Sequence, residues 1–149
     1  MIALPNEEDE IPVEPGKRLD ITRKLLDIAV GEFEIPLEDI VIDPLAMPVG
    51  ADSTLVRKTL ETIELIRDEF GLNMTLGAGN VSFGMPGRAI IGAAFLPIAM
   101  SAGLTSAIMD TRTPQMVEAV LAGDLLLGHD DWGGAWIAAH RKKQAAATG

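Results

Sequence analysis

Residues 40–44, Ile40-Val41-Ile42-Asp43-Pro44, decide the fold class of this chain. Three β-branched residues in a row favour a short strand. The run stops at an acid, and the proline that follows stiffens the loop beyond it. The stretch therefore predicts a buried strand whose C-terminal end presents a carboxylate.

The same pattern recurs along the chain, with further strands predicted over residues 1–4, 74–76 and 105–109. Apolar spacing and capping residues predict helices over residues 16–31, 52–70, 113–121 and 132–143, and one after Pro86 through residue 102 with a kink at Pro97. A β-α alternation of this kind implies parallel strands with right-handed crossovers, in an open sheet or a β/α barrel. With 149 residues the chain is one α/β domain, too short for a complete barrel of about 250 residues.

Composition narrows the function classes. Hydrophobic residues make up 48% of the chain, aromatic residues 4%, and the formal net charge is −10. Nucleic-acid binding needs a clustered basic surface, and none is visible. The chain has no cysteine, which excludes thiolate chemistry. No apolar run is long enough to span a bilayer, and the start lacks the features of a secretory signal, so we expect a soluble cytoplasmic protein. His129-Asp130-Asp131 has no metal-ligand spacing, so we expect no metal site.

The most distinctive stretch runs from Leu76 to Arg88 and contains four glycines, which let backbone approach a ligand closely. Asn80 offers a donor and an acceptor, and Arg88 offers a planar cationic fork. Together they suit a flat heterocycle with ring nitrogens and a carbonyl. The alternative is a flexible glycine loop with the asparagine in a turn and the arginine in water.

Two motifs in this order resemble those of a known family. Asn80-Val81-Ser82-Phe83-Gly84-Met85-Pro86-x-Arg88, with the apolar pattern of residues 95–108 after it and Asp39-Ile40-Val41-Ile42-Asp43-Pro44-Leu45 before it, is similar to the pterin-binding methyltransferases. These enzymes use methyltetrahydrofolate and a corrinoid, and they include the folate domain of cobalamin-dependent methionine synthase. The resemblance extends from the first residue to at least Leu127.

The resemblance implies that residues 1–149 form a single domain, the (βα)4 C-terminal half of a TIM-type (β/α)8 barrel. The motifs would belong to its sixth, seventh and eighth strands, and Met1 would fall within the fifth. A half-barrel exposes sheet edges and the apolar face meant for the barrel interior. We therefore expect a homodimer or a complementary N-terminal half-barrel chain as partner.

The resemblance also implies roles for individual residues in methyl transfer, a reaction of one-carbon metabolism. Asp43 would accept hydrogen bonds from pterin N–H groups, and Asn80 would act as the catalytic amide at the nitrogen that bears the methyl group. Ser82 and Arg88 would complete pterin binding, and a partner protein would carry the cobalamin or other corrinoid. The alternatives are that Asp43 caps its loop, that Ser82 supports its turn, and that Arg88 forms a surface ion pair.

Two other functions stay open from the sequence. Dihydropteroate synthase has a related barrel, but residues 84–88 read Gly-Met-Pro-Gly-Arg where that family has a Ser-Arg-Lys stretch. A half-barrel can also persist as a self-associating scaffold without turnover. Among the remaining residues, Asp110 would line the site or cap Arg112, and Trp132 and Trp136 would anchor the core or an interface.

Overall fold

A computed structural model describes residues 1–147 as a mixed α/β protein that is mostly helical. The elements follow one another in the order β1-α1-β2-α2-α3-α4-α5. Their bounds are Ile2–Ala3 (β1), Pro15–Gly31 (α1), Val41–Ile42 (β2), Leu55–Phe70 (α2), Arg88–Ala102 (α3), Pro114–Leu126 (α4) and Gly134–Ala147 (α5).

The sheet is small and parallel. β1 pairs with β2 so that Ile2 lies opposite Val41 and Ala3 lies opposite Ile42. The two later strands predicted from the sequence are present only as single parallel bridges, from Ile42 to Met74 and from Gly77 to Ile108. Their backbone bonds still run in chain order, with Thr75 N–H on the Ile42 carbonyl at 2.9 Å and Ile108 N–H on the Leu76 carbonyl at 2.8 Å.

A side chain explains why the ladder is interrupted at Met74. The Met74 N–H donates to Thr105 Oγ1 over 2.8 Å, where a sheet would offer a backbone carbonyl. The same hydroxyl donates back to the Met74 carbonyl over 2.9 Å. Thr105 therefore takes the place of a backbone partner for the Met74 N–H, while the Met74 carbonyl still accepts from the backbone N–H of Ser106 over 2.9 Å.

Only one face of these extended segments is covered by helices. Ala3, Ile42, Met74 and Leu76 point into the core, which α2 and α3 complete with residues such as Ile63, Ile66, Leu96 and Ala99. Because side chains alternate along a strand, the neighbouring residues face the other way. We call Ile2, Leu4 and Ile108, with exposed fractions of 53%, 46% and 62%, the open sheet face.

α3 and α4 pack through reciprocal glycine–methionine contacts. A Cβ placed on Gly92 of α3 would lie 2.8 Å from the sulfur of Met116, and one on Gly123 of α4 would lie 2.9 Å from the sulfur of Met100. Each glycine thus makes room for a methionine of the other helix. α3 continues through Pro97 as one helix to Ala102.

The C-terminal part differs from the sequence prediction in two respects. α4 extends to Leu126, and α5 begins at Gly134. Trp132 is 99% exposed and has a left-handed backbone with φ 57°, so it does not anchor the core, and its place in an interface stays a prediction. Asp130, in the polar stretch before this helix, caps α5 by accepting from Ala135 N–H at 2.9 Å and Trp136 N–H at 3.0 Å. None of the helices in residues 1–147 is long and apolar enough to cross a membrane.

Candidate functional site

The two main site residues predicted from the sequence lie at the same end of the sheet. Asp43 follows β2, and Asn80 follows the extended segment that starts at Met74 and pairs with β2 in parallel. The loops that carry them are joined, because Val49 N–H donates to the Val81 carbonyl over 2.9 Å. The C-terminal ends of parallel strands are where α/β proteins bind their ligands.

Asp43 has one carboxylate oxygen in use and one free. Its Oδ1 accepts from Leu45 N–H over 2.9 Å, which turns the chain just after the strand. Its Oδ2 has no hydrogen-bond partner among residues 1–147. Partial burial raises the pKa of Asp43 above its usual value, while the Leu45 N–H and the charge of Arg18 act in the opposite direction. The predicted capping role and a free acceptor therefore coexist in one side chain.

Asn80 has a fixed backbone and an unengaged amide. It lies in a 3-10 turn over Ala78–Ser82, where its N–H donates to the Gly77 carbonyl over 3.0 Å. Its side chain is exposed, and within the described part of the chain it makes no hydrogen bond. A Cβ on Gly77 would approach Asn80 Nδ2 to 3.0 Å, so the glycine leaves the space that this amide occupies.

Ser82 and Arg88 hold together the stretch from Leu76 to Arg88, which we call the glycine loop. The buried Ser82 hydroxyl donates to the Gly79 carbonyl over 3.1 Å and accepts from Arg88 Nε over 3.2 Å. Arg88 Nη2 also donates to the Gly79 carbonyl, at 2.9 Å, and the guanidinium lies 4.4 Å from the centre of the Phe83 ring. Arg88 thus contacts its own loop and forms no ion pair with any residue in the described range 1–147, while Ser82 does support its turn.

Arg18 is a residue near the site that the sequence interpretation missed. It is fully buried on α1, where Nε donates to the Pro12 carbonyl over 2.6 Å. Its Nη1 donates to the carbonyls of Pro44 and Leu45 over 2.9 and 3.1 Å. The available signal was helical spacing, because Arg18 lies four residues before Thr22 and eight before Leu26 on the buried face of α1.

The remaining candidates lie elsewhere or have local partners. Asp110 accepts from Arg112 N–H over 3.0 Å and from its Nε over 2.9 Å, which is the capping alternative. Trp136 and His140 line a cleft of about 540 Å³ between α4 and α5. Residues 1–147 contain no group of three His, Cys, Asp or Glu side chains arranged to hold a metal ion.

The fold and the site define a mixed α/β protein in which free polar groups gather at the C-terminal ends of adjacent parallel segments. Over 131 residues the chain is 30% identical to the methylcorrinoid:tetrahydrofolate methyltransferase of Eubacterium limosum, an alignment that covers 87% of this chain and 48% of that protein. It is also 29% identical over 116 residues to the methionine synthase of Mycobacterium tuberculosis, with coverage of 73% and 10%. No model of a known protein family matches the chain.

These similarities relate the chain to the corrinoid and folate methyltransferases. The chain spans about half of the first relative and a tenth of the second.

Proposed function

We propose that this chain binds methyltetrahydrofolate and contributes to methyl transfer between that folate and a corrinoid. One observation carries the proposal: among residues 1–147, a carboxylate oxygen of Asp43 and the whole amide of Asn80 make no hydrogen bond, and both lie at the ends of two hydrogen-bonded parallel segments. The names of the two relatives, a methylcorrinoid:tetrahydrofolate methyltransferase and a methionine synthase, supply the ligand class.

Pterin binding would start at Asp43. The edge of a pterin carries N–H donors, and the free Oδ2 is an acceptor for them. A charge-assisted hydrogen bond of this kind is stronger than a neutral one and fixes the plane of the ring. Because Asp43 is partly buried, the bond forms where water competes less, which strengthens it further.

Asn80 would act at the nitrogen that bears the methyl group. An amide anion is a poor leaving group, so this nitrogen must take up a proton from solvent before or as its bond to the methyl carbon breaks, with the electron pair of that bond staying on nitrogen. A neutral amide stabilises the protonated nitrogen by hydrogen bonding without being a strong acid. The corrinoid, when bound, supplies the nucleophilic cobalt that exchanges the methyl group.

The glycine loop would contribute shape more than chemistry. Arg88 ties Gly79 and Ser82 together and stacks on Phe83, so the loop is ordered before any ligand arrives. Preorganisation of this kind lowers the entropic cost of binding. The Nη1 atom of Arg88, which has no hydrogen-bond partner in residues 1–147, would be left for the polar edge of the pterin.

A second polypeptide would complete the protein. In this proposal residues 1–149 are the (βα)4 half of a TIM-type barrel, and the open sheet face is the surface that the barrel interior would cover. Its exposed Ile2, Leu4 and Ile108 support that assignment. The partner would be a complementary N-terminal half-barrel or a second copy of the chain, with the corrinoid on a further protein.

Calorimetric titration with methyltetrahydrofolate tests the proposal. We expect the wild-type chain to bind, Asn80→Ala to bind at least tenfold more weakly (about 1.4 kcal/mol), and Asn73→Ala to behave as wild type. Asn73 is the matched control because it is an exposed asparagine just before Met74, at the opposite end of the same segment. Binding without transfer to reduced cobalamin would indicate a site that lacks its other half. If the wild-type chain does not bind, the proposal fails and the non-catalytic scaffold is favoured.

A further inference from the structure

We propose that Arg18 is a positioning residue for the Asp43 carboxylate, which it holds at the strand end while leaving one carboxylate oxygen free for a ligand. The inference rests on the proposed function, since it gives the free oxygen a pterin N–H to bind. It adds a residue outside both motifs that define the site.

The hydrogen bonds of Arg18 tie the turn after Asp43 to α1. Its Nη1 is shared between the carbonyls of Pro44 and Leu45, the two residues that follow Asp43. Its Nε reaches the carbonyl of Pro12, in the loop before α1. One guanidinium therefore fixes two loops, and the Leu45 N–H that binds Asp43 Oδ1 belongs to the fixed turn.

Arg18 uses only part of its hydrogen-bonding capacity. The residue has no exposed surface, and its Nη2 has no hydrogen-bond partner among residues 1–147. Burying a charge with an unpaired donor is costly, and the bonds to three carbonyls offset that cost. Arg18 forms no direct ion pair with Asp43 in the described chain. Such a pair would occupy the carboxylate, whereas the observed arrangement keeps Oδ2 available.

Arg18 is the charged residue whose field acts on Asp43. The other elements packed near Asp43 carry neutral groups, or charged groups that already have a partner. Thr59 of α2 donates to the Leu45 carbonyl over 3.3 Å, and Lys58 of α2 pairs with Glu14. Arg88 is bound within its own loop.

Loss of the Arg18 charge has a defined consequence for Asp43. Burial already raises the pKa of Asp43, and the guanidinium opposes that rise. Without the charge the carboxyl group would stay protonated to higher pH. A protonated carboxyl loses the charge-assisted acceptor that a pterin N–H needs.

The test compares Arg18→Gln and Arg18→Lys with the wild-type full chain by carbon-detected NMR. The side-chain carboxyl signal of Asp43, assigned with Asp43→Asn, is followed against pH without ligand. We expect Arg18→Gln to titrate at higher pH than the wild type. In Arg18→Lys the charge is kept, so the Asp43 carboxyl should titrate near the wild-type pH. The planar guanidinium is lost, so this variant should bind methyltetrahydrofolate roughly tenfold more weakly across the pH range (about 1.4 kcal/mol).

Arg23→Gln is the matched control, because Arg23 lies on the exposed side of the same helix and pairs with Glu69. It should change neither the Asp43 titration nor the affinity. A folded Arg18→Gln chain in which Asp43 titrates at the wild-type pH would overturn the inference. If that variant does not fold, wild-type affinity in a folded Arg18→Lys chain would overturn it. Failure of the wild type to bind the folate would reject the proposed function alone, since the titration needs no ligand.

Discussion

The backbone N–H of Val49 donates to the carbonyl of Val81 over 2.9 Å, and this bond joins the loop after β2 to the glycine loop. Gly50 lies beside the same contact, where a Cβ would come within 2.7 Å of the Phe83 carbonyl oxygen. The two loops therefore form one unit, although more than thirty residues separate them in the sequence. Asp43 and Asn80 each belong to one of these loops, which is why the structure keeps them at one end of the sheet.

Gly77→Ala should weaken folate binding by displacing the Asn80 amide. The new Cβ would lie 3.0 Å from Asn80 Nδ2, so the amide has to shift by a few tenths of an ångström. We expect methyltetrahydrofolate affinity to fall roughly threefold to tenfold (about 0.7 to 1.4 kcal/mol) in a calorimetric titration. Gly79→Ala is the control, because its Cβ would make an ordinary 3.8 Å contact with Arg88 Nη2. Equal affinities for the two variants would show that the position of the amide is unimportant.

Arg88→Lys should loosen the glycine loop while preserving charge. Lysine cannot reach both Ser82 Oγ and the Gly79 carbonyl with a planar fork, and it stacks less well on Phe83. We expect faster amide hydrogen exchange within residues 79–83 and about tenfold weaker binding of methyltetrahydrofolate. Arg57→Lys, at an exposed position of α2, should leave both measurements unchanged. Unaltered hydrogen exchange in the Arg88 variant would contradict a role for Arg88 in holding the glycine loop.

Asp43→Asn should stabilise the protein at neutral pH even as it removes the pterin acceptor. The pKa of Asp43 is raised in the folded protein, mainly by burial, so the folded state holds this proton more tightly than the unfolded state. The favourable contribution of Asp43 to folding stability is therefore present below the usual pKa of aspartate and is lost as pH rises through the raised pKa. We expect a higher melting temperature for the variant at pH 7, with the difference shrinking as pH falls toward about 4.

The exposed Asp27 of α1 provides the comparison for that experiment. Asp27→Asn should change stability by no more than about 0.5 kcal/mol at either pH. A wild-type protein that is more stable than Asp43→Asn at pH 7 would contradict the assigned effect of burial.

Ile108→Asp should abolish association through the open sheet face. Ile108 is 62% exposed beside Gly77, and a charge placed there could not be buried against a partner without a large desolvation penalty. We expect the wild type to sediment as a dimer, or as a complex with a complementary half-barrel, and the variant to sediment as a monomer. Leu126→Asp, on α4 with 82% exposure, tests whether any apolar surface suffices. A wild-type monomer at micromolar concentration would remove the need for a partner.

Thr105→Val should destabilise the protein because it removes the hydroxyl that replaces a ladder partner. The Met74 N–H and carbonyl both use that hydroxyl, at 2.8 and 2.9 Å. We expect a loss of about 1 to 3 kcal/mol in the free energy of unfolding, measured by chemical denaturation, because a backbone donor is left unpaired. Thr105→Ser keeps the hydroxyl and should recover most of the loss. Equal stability of the two variants would show that water satisfies Met74.

The sequence by itself determined the order of the helices, the first two strands and the segment ends that carry the polar residues. Helix positions follow from apolar spacing, from Pro114 at a first helical turn and from Gly71 at a helix end, all of which depend on near neighbours in the chain. The positions of Asp43 and Asn80 after extended segments are equally local. For that reason the helices, the first two strands and the two loops were visible before any contact was known, whereas the later two predicted strands form only single bridges.

Only the tertiary structure decided what these side chains contact. Arg18 is charged and lies in an ordinary helix, yet it is buried because two distant loops offer it three carbonyls. Trp132 is a large aromatic residue expected in the core or an interface, yet a left-handed turn carries it into solvent. Thr105 replaces a backbone partner for the N–H of Met74, a residue 31 positions away. The outcomes at Arg18 and Thr105 depend on contacts between distant segments, whose energies local spacing does not encode.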